Sequence, residues 1–152
     1  MGEFFGSIYC CFEDFFGLDL AEYMWGISSP LSDKNLFIGI GILTIVISLF
    51  VVMSYYYIID HPRLNKWWCW CLFLGSNACA NFIVGWQYVL TDFYDGKMVM
   101  LNPATGLQSA LNIGESDIVC FGVANSIISI FVFFVFSMMF KWWSRHCSHS
   151  PF

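Results

Sequence analysis

The chain has 152 residues, of which 59% are hydrophobic, 20% aromatic and 11% charged, with a mean hydropathy of +0.68. So few charges cannot cover a water-soluble particle of this size, which ordinarily carries about 25% charged residues, whereas lipid rewards outward-facing apolar side chains. An ordinary soluble globule is excluded, and the formal net charge of −5 counts against nucleic acid or anionic lipid as a main partner of the acidic face.

The N-terminal segment, residues 1–35, carries Phe4, Phe5, Ile8, Phe12, Phe15 and Phe16 at spacings of three and four, with Glu3, Ser7, Glu13 and Asp14 between them. That pattern predicts one amphipathic helix lying on the outer surface and ended by Gly17. Its polar face has no Lys or Arg, so charge cannot hold it to anionic lipid. Contact with a protein partner or with the chain's own spans is expected instead, which makes Phe4, Phe5, Phe12 and Phe16 docking candidates. Ser28-Ser29-Pro30 reads as a turn before the first span. With no basic n-region and a long apolar run beginning only at Leu36, that span is expected to act as an uncleaved anchor.

Three stretches have the roughly 20 apolar residues that a bilayer crossing needs. Residues 36–59 contain no charge and close with Tyr55-Tyr56-Tyr57, read as an aromatic belt at head-group level. A short loop, 60–66, leads to the second span, 67–90, which opens with Trp67-Trp68-Cys69-Trp70-Cys71 and closes with Trp86 and Tyr88. The loop 91–117 has mixed polarity: Asp95-Gly96 has hairpin chemistry, Asn102-Pro103 marks a second turn, and a short helix is expected over 105–111. This loop is either a connector capping the spans or a recognition loop. The third span, 118–140, stops at Lys141-Trp142-Trp143, and the tail is 141–152.

Arg63 and Lys66 in the short loop and Lys141 and Arg145 in the tail face only Lys34 and Lys97 on the other side. The positive-inside rule therefore places loop and C-terminus in the cytoplasm, or a matrix, and the N-terminus outside. All but one of the carboxylates fall on the outer side, Asp60 being the exception. The expected architecture is an all-α integral membrane protein with three transmembrane helices and an N-terminal amphipathic helix, forming a single membrane domain. No internal repeat or long linker interrupts it.

Asn77 and Asn81 lie four apart on one face of the second span, and Asn125 sits in the third. Counted from the outer ends, Asn81 and Asn125 each lie about 12 to 14 Å deep, so a hydrogen bond between them is expected. Small residues at four-residue spacing, Cys71, Gly75 and Cys79 in the second span and Gly122 and Ser126 in the third, are the expected close-approach positions. Helix–helix adhesion is the reading of this set, an ion or substrate path its competitor. No Asp, Glu, Lys, Arg or His lies in the middle of a span, which weakens proton pumps and ion-coupled carriers.

Of seven cysteines, Cys10 and Cys11 are on the outer side, and Cys79 and Cys120 lie in spans as small hydrophobes. Cys69, Cys71 and Cys147 fall near the inner face with His61, His146 and His149. Cys69, Cys71, Cys147 and His149 have ligand chemistry for zinc, but Cys69 and Cys71 point about 160° apart on a helix, so no metal or other cofactor is assigned. His149 and Phe152 in the tail are further docking candidates, because a terminus orders only when something ties it down.

No phosphate loop, nucleophile–base set or paired carboxylates signal an enzyme. The sequence reads best as a non-catalytic anchoring subunit of a larger membrane assembly, a secretion or injection machine or a respiratory-type complex. The expected setting is a bacterial inner membrane or, alternatively, a mitochondrial one, with other membrane subunits and the bilayer as partners. An oligomeric channel or small transporter, and a membrane redox or metal-binding protein, are the alternatives.

Overall fold

A computed structural model of the chain describes residues 2–26, 35–58, 67–101 and 108–141. The expected turns at 28–30 and 102–103, the loop at 60–66 and the tail beyond Lys141 lie outside the described residues. The chain is mostly helical, and three helices are long and apolar enough to cross a membrane. α4 (Leu36–Met53) continues through a π-helical turn (Ser54–Ile58); α5 runs Trp67–Tyr94 and α6 runs Glu115–Lys141. Their 22, 28 and 27 apolar-rich residues correspond to about 33 to 42 Å of helix, enough to span about 30 Å of hydrocarbon.

Local chemistry sets the ends. Asn35 Oδ1 accepts the Phe37 N–H at 3.0 Å and so caps α4. Gly114 N–H donates to Asp117 Oδ2 at 2.9 Å, and Glu115 and Asp117 place negative charge where the α6 dipole favours it. α5 continues past the expected boundary at residue 90, because Phe93 and Tyr94 are still helical. Gly96, at φ +68°, ends the helix with its N–H on the Phe93 carbonyl, so Asp95-Gly96 terminates a helix and is not a hairpin turn.

The hairpin lies further along. β1 (Val99–Leu101) pairs antiparallel with β2 (Gln108–Ala110), Met100 opposite Ser109, and the Leu111 N–H extends the pairing to the Met98 carbonyl at 3.2 Å. The helix expected over 105–111 is thus replaced at 108–110 by a strand. Cross-strand backbone bonds to a neighbouring apolar strand outweigh a weak local helical preference.

The single N-terminal helix is also corrected: the segment forms α1 (Gly2–Cys10), α2 (Glu13–Phe16) and α3 (Leu18–Trp25). A turn at Cys11-Phe12 separates the first two, and Gly17, at φ +95°, separates the second from the third. That φ suits a residue without Cβ. The two breaks let the segment fold back on itself, so that Tyr9, Phe16, Leu20, Tyr23 and Met24 are all buried.

The chain divides into two compact units: Met1–Ile42 with Phe82–Asn125, and Leu43–Asn81 with Ser126–Phe152. In the first, Tyr9 stacks on Phe37 (centroids 5.1 Å) and on Phe121 (5.7 Å), and Phe16 meets Phe121 edge-on at 5.3 Å. The N-terminal helices therefore pack on the ends of the chain's own spans. Burial of an aromatic of the N-terminal segment such as Phe16 contributes roughly 1.5–3 kcal/mol by leaving water.

In the second unit the core is Val52, Tyr55, Tyr56, Trp70 and Phe133. The aromatic-belt reading is corrected here, since Tyr55, Tyr56 and Trp70 point inward while Tyr57, Trp67 and Trp68 are exposed. The π turn accounts for Tyr56. Four residues of α-helix overshoot a full turn by about 40°, and the wider π turn brings Tyr56 back toward the face of Val52. Ser54 Oγ donates to the Phe50 carbonyl at 2.8 Å at the start of that turn.

Candidate functional site

Neutral polar side chains are buried in the spans, and their bonds divide between the units. In the second, Asn77 Nδ2 donates to the Ser129 carbonyl at 3.1 Å, tying α5 to α6. Asn81 Nδ2 donates back to Asn77, to its carbonyl at 3.0 Å and to Oδ1 at 3.2 Å. In the first unit Asn125 Oδ1 accepts the Tyr9 hydroxyl at 2.6 Å, joining α6 to α1. Asn81 and Asn125 belong to different units, and each makes these bonds inside its own.

The close-approach positions are only partly those expected. Gly122 is buried, and a Cβ there would come within 3.1 Å of the Phe82 ring and 3.2 Å of Trp86. Ser126 is half-buried and its carbonyl accepts the Ser129 hydroxyl at 2.7 Å. Cys71 packs against the core of the second unit, but Gly75 and Cys79 are exposed, and a Cβ on Gly75 would meet nothing within 4 Å. At 100° per residue Gly75 sits about 160° from Asn77, so the two sets cannot share a face. The buried row is Asn77, Asn81, Gly85 and Val89. At Gly85 a Cβ would lie 2.9 Å from Asn125 Nδ2.

A second polar contact was not legible in the sequence. Ser137 Oγ accepts the Trp70 indole N–H at 2.9 Å and shares a 2.7 Å hydrogen bond with the Tyr56 hydroxyl. One residue each from the π turn, α5 and α6 thus meets at one oxygen. All three are buried. The buried polar set among the described residues, Thr44, Ser48, Asn77, Asn81, Asn125, Ser129 and Ser137, carries no carboxylate, amine or imidazole. Chemically this is adhesion between helices, with nothing that gains or loses a proton near neutral pH.

Among the described residues every carboxylate is in the first unit. Tyr23 donates to Asp92 Oδ2 at 3.3 Å, and Lys97 Nζ lies 2.9 Å from both Asp92 and Asp95. Burial, then Asp92, pushes the Tyr23 hydroxyl up to about 12, and bonds to Asp95 and Asp92 raise the Lys97 ammonium above its usual range. Tyr94 also bonds Glu115 at 3.1 Å. Beside these, a cleft of about 200 Å³ opens between Cys10, Glu13, Leu18, Ala21, Glu22 and Trp25. Burial, then Glu13, pushes the Cys10 thiol up.

Of the expected docking residues, Phe4 is 66% exposed, Phe12 is half-buried and Phe5 packs over Gly41. Phe16 is fully buried against Phe121, so it serves the chain's own core and offers no docking surface. His149 and Phe152 lie outside the described residues. So does Cys147, which with His149 belongs to the expected metal set, while Cys69 and Cys71 pack against the core of the second unit. Among the described residues no three His, Cys, Asp or Glu side chains gather as metal ligands. No family model, curated protein or solved structure matches the chain.

Proposed function

We propose that the chain is a non-catalytic anchoring subunit of a larger membrane assembly of the secretion or respiratory kind, held in an inner membrane with its N-terminal helices outside. The observation that carries this reading is the surface of those helices. Phe4, Phe15 and Leu18 are 66%, 51% and 60% exposed, next to the exposed carboxylates of Asp14, Asp19 and Glu22. Large apolar side chains kept outward on a segment whose other aromatics are buried or half-buried mark a contact surface. The span interiors support the same reading, because neutral amides and hydroxyls holding helices together suit a scaffold.

The test is extraction of the native membrane in mild detergent, with size analysis, mass spectrometry of co-purifying chains and metal content on one sample. Recovery in a defined hetero-oligomer is expected. A bare homo-oligomer would overturn the reading in favour of a channel, and stoichiometric metal would favour a redox protein.

A further inference from the structure

Three serines of the second unit, Ser54, Ser129 and Ser137, bond other groups of the chain at 2.7 to 2.9 Å. Ser48, on α4, is different. It is 0% exposed, and no group among the described residues bonds its Oγ. Even the carbonyl one turn back, the kind of acceptor that Ser54 finds at Phe50, is not used. A hydroxyl taken out of water without a partner is costly, so this one marks a place where a partner belongs.

Bonds elsewhere in the unit fix the level at which Ser48 lies. Tyr56, Trp70 and Ser137 meet at one oxygen. Val52 and Phe133, each four residues before Tyr56 and Ser137, share one core, so α4 and α6 run the same way. α5 runs against them, since Trp70 bonds Ser137 and Asn77 bonds the Ser129 carbonyl. Ser48 lies eight residues before Tyr56, Ser129 eight before Ser137, and Asn77 seven after Trp70. All three therefore stand about 10 to 12 Å along the bundle from the Ser137 oxygen. Each is buried, and each comes from a different helix.

The hydrogen-bonding capacity at this level suits one small ligand. Asn77 Oδ1 takes a bond from Asn81 and has a second lone pair, and Ser129 Oγ, having given its proton to the Ser126 carbonyl, still accepts. With the Ser48 hydroxyl as donor, that makes three groups, the usual number around a buried water. The buried polar set carries no carboxylate, so a cation there would stay uncompensated in apolar surroundings. The donor set selects a neutral ligand.

We infer that the second unit binds one internal water molecule at this level, which accepts from Ser48 and donates to Asn77 Oδ1 and Ser129 Oγ. The water ties α4 to the pair of helices that Asn77 and Ser129 already join. The inference goes beyond the subunit reading and stands whether or not the chain enters an assembly.

The test uses the full chain, isotope-labelled at asparagine nitrogen, in nanodiscs of deuterated lipid. Magnetisation transfer from water protons to the side-chain amides is measured by solid-state NMR. The Asn77 amide lies at mid-span, beyond the reach of bulk water, and is expected to receive this transfer and to lose it in Ser48→Ala. No transfer to Asn77, or a transfer that Ser48→Ala leaves intact, overturns the inference. Unfolding in detergent gives a second readout, in which the sign decides. With the water in place Ser48→Ala removes a bonded hydroxyl, so the folded-to-unfolded ratio should fall about fivefold. A ratio that rises would mean that the alanine relieves a hydroxyl with no partner, and this also overturns the inference. Should the alanine variant fail to fold, transfer to Asn77 in the unsubstituted chain still decides.

Discussion

The Tyr9 hydroxyl donates a 2.6 Å hydrogen bond to Asn125 Oδ1, joining residues 116 apart in the chain. Both side chains are buried, at 1% and 0% exposure, and the Tyr9 ring packs on Phe37 and Phe121, whose own centroids are 6.4 Å apart. The bond anchors the N-terminal helices to α6, and it can be tested without disturbing the ring packing. Tyr9→Phe keeps the stack and deletes only the donor, so a loss of about 1–3 kcal/mol is expected in reversible unfolding in detergent. A double-mutant cycle with Asn125→Leu isolates the pair. A coupling energy of zero would show that the hydroxyl contributes nothing beyond its ring.

Gly85 and Gly75 sit on the same helix and should respond oppositely to the same substitution. A Cβ at Gly85 would come within 2.9 Å of Asn125 Nδ2 and 3.1 Å of Asn125 Cβ, so Gly85→Ala must displace a buried amide that Tyr9 holds, at a cost of about 1–3 kcal/mol. Gly75→Ala meets open space and removes a glycine from a helix interior, so it should be neutral or stabilise by up to about 1 kcal/mol. The measurement is the unfolding midpoint of the isolated chain, where no partner can cover Gly75. Equal destabilisation at both positions would contradict the facing of α5.

Much of this was legible in the sequence, and the failures have physical causes. The three spans were readable because a charge-free run of this length has few other uses. The four-residue spacing of Asn77 and Asn81 puts them on one face, and continuing that spacing one step reaches Gly85. Gly75 and Cys79 match by residue size alone, and their angular phase turns them away from the face of Asn77 and Asn81. The breaks at Cys11-Phe12 and Gly17 were hidden because the phenylalanine spacing runs through them. Tyr55-Tyr56-Tyr57 signalled an aromatic position near a span end but not which rings turn inward, since the π turn that decides this depends on packing with Trp70 and Ser137.

Ser137→Ala removes the oxygen at which Trp70 and Tyr56 converge. The indole N–H and the phenol both lose this partner in a buried site, and the expected loss is about 1–3 kcal/mol. Tyr56→Phe should cost less, because Ser137 still accepts from Trp70. Adding Tyr56→Phe to Ser137→Ala should then cost less than the sum of the two, as for residues sharing one network. Strict additivity in the same unfolding assay would mean that the three side chains act independently.

Alkaline pH should loosen the contact between α3 and α5 through Tyr23. Its hydroxyl is pushed up to about 12 chiefly by burial, then by Asp92, to which it donates at 3.3 Å. An unfolded tyrosine titrates near about 10, so the folded chain keeps this proton at higher pH than the unfolded chain does. The stabilisation is fully present below pH about 10 and is lost as pH rises towards about 12. Tyrosinate absorbance of the chain minus that of Tyr23→Phe should report a titration displaced upward, and the variant should lose part of the alkaline slope in stability. Asp92→Asn removes the second cause and leaves the first, so it should return the titration only part of the way. A complete return would make the carboxylate, and not burial, the main cause; no displacement at all would mean that Tyr23 stands in water and does not hold α3 against α5.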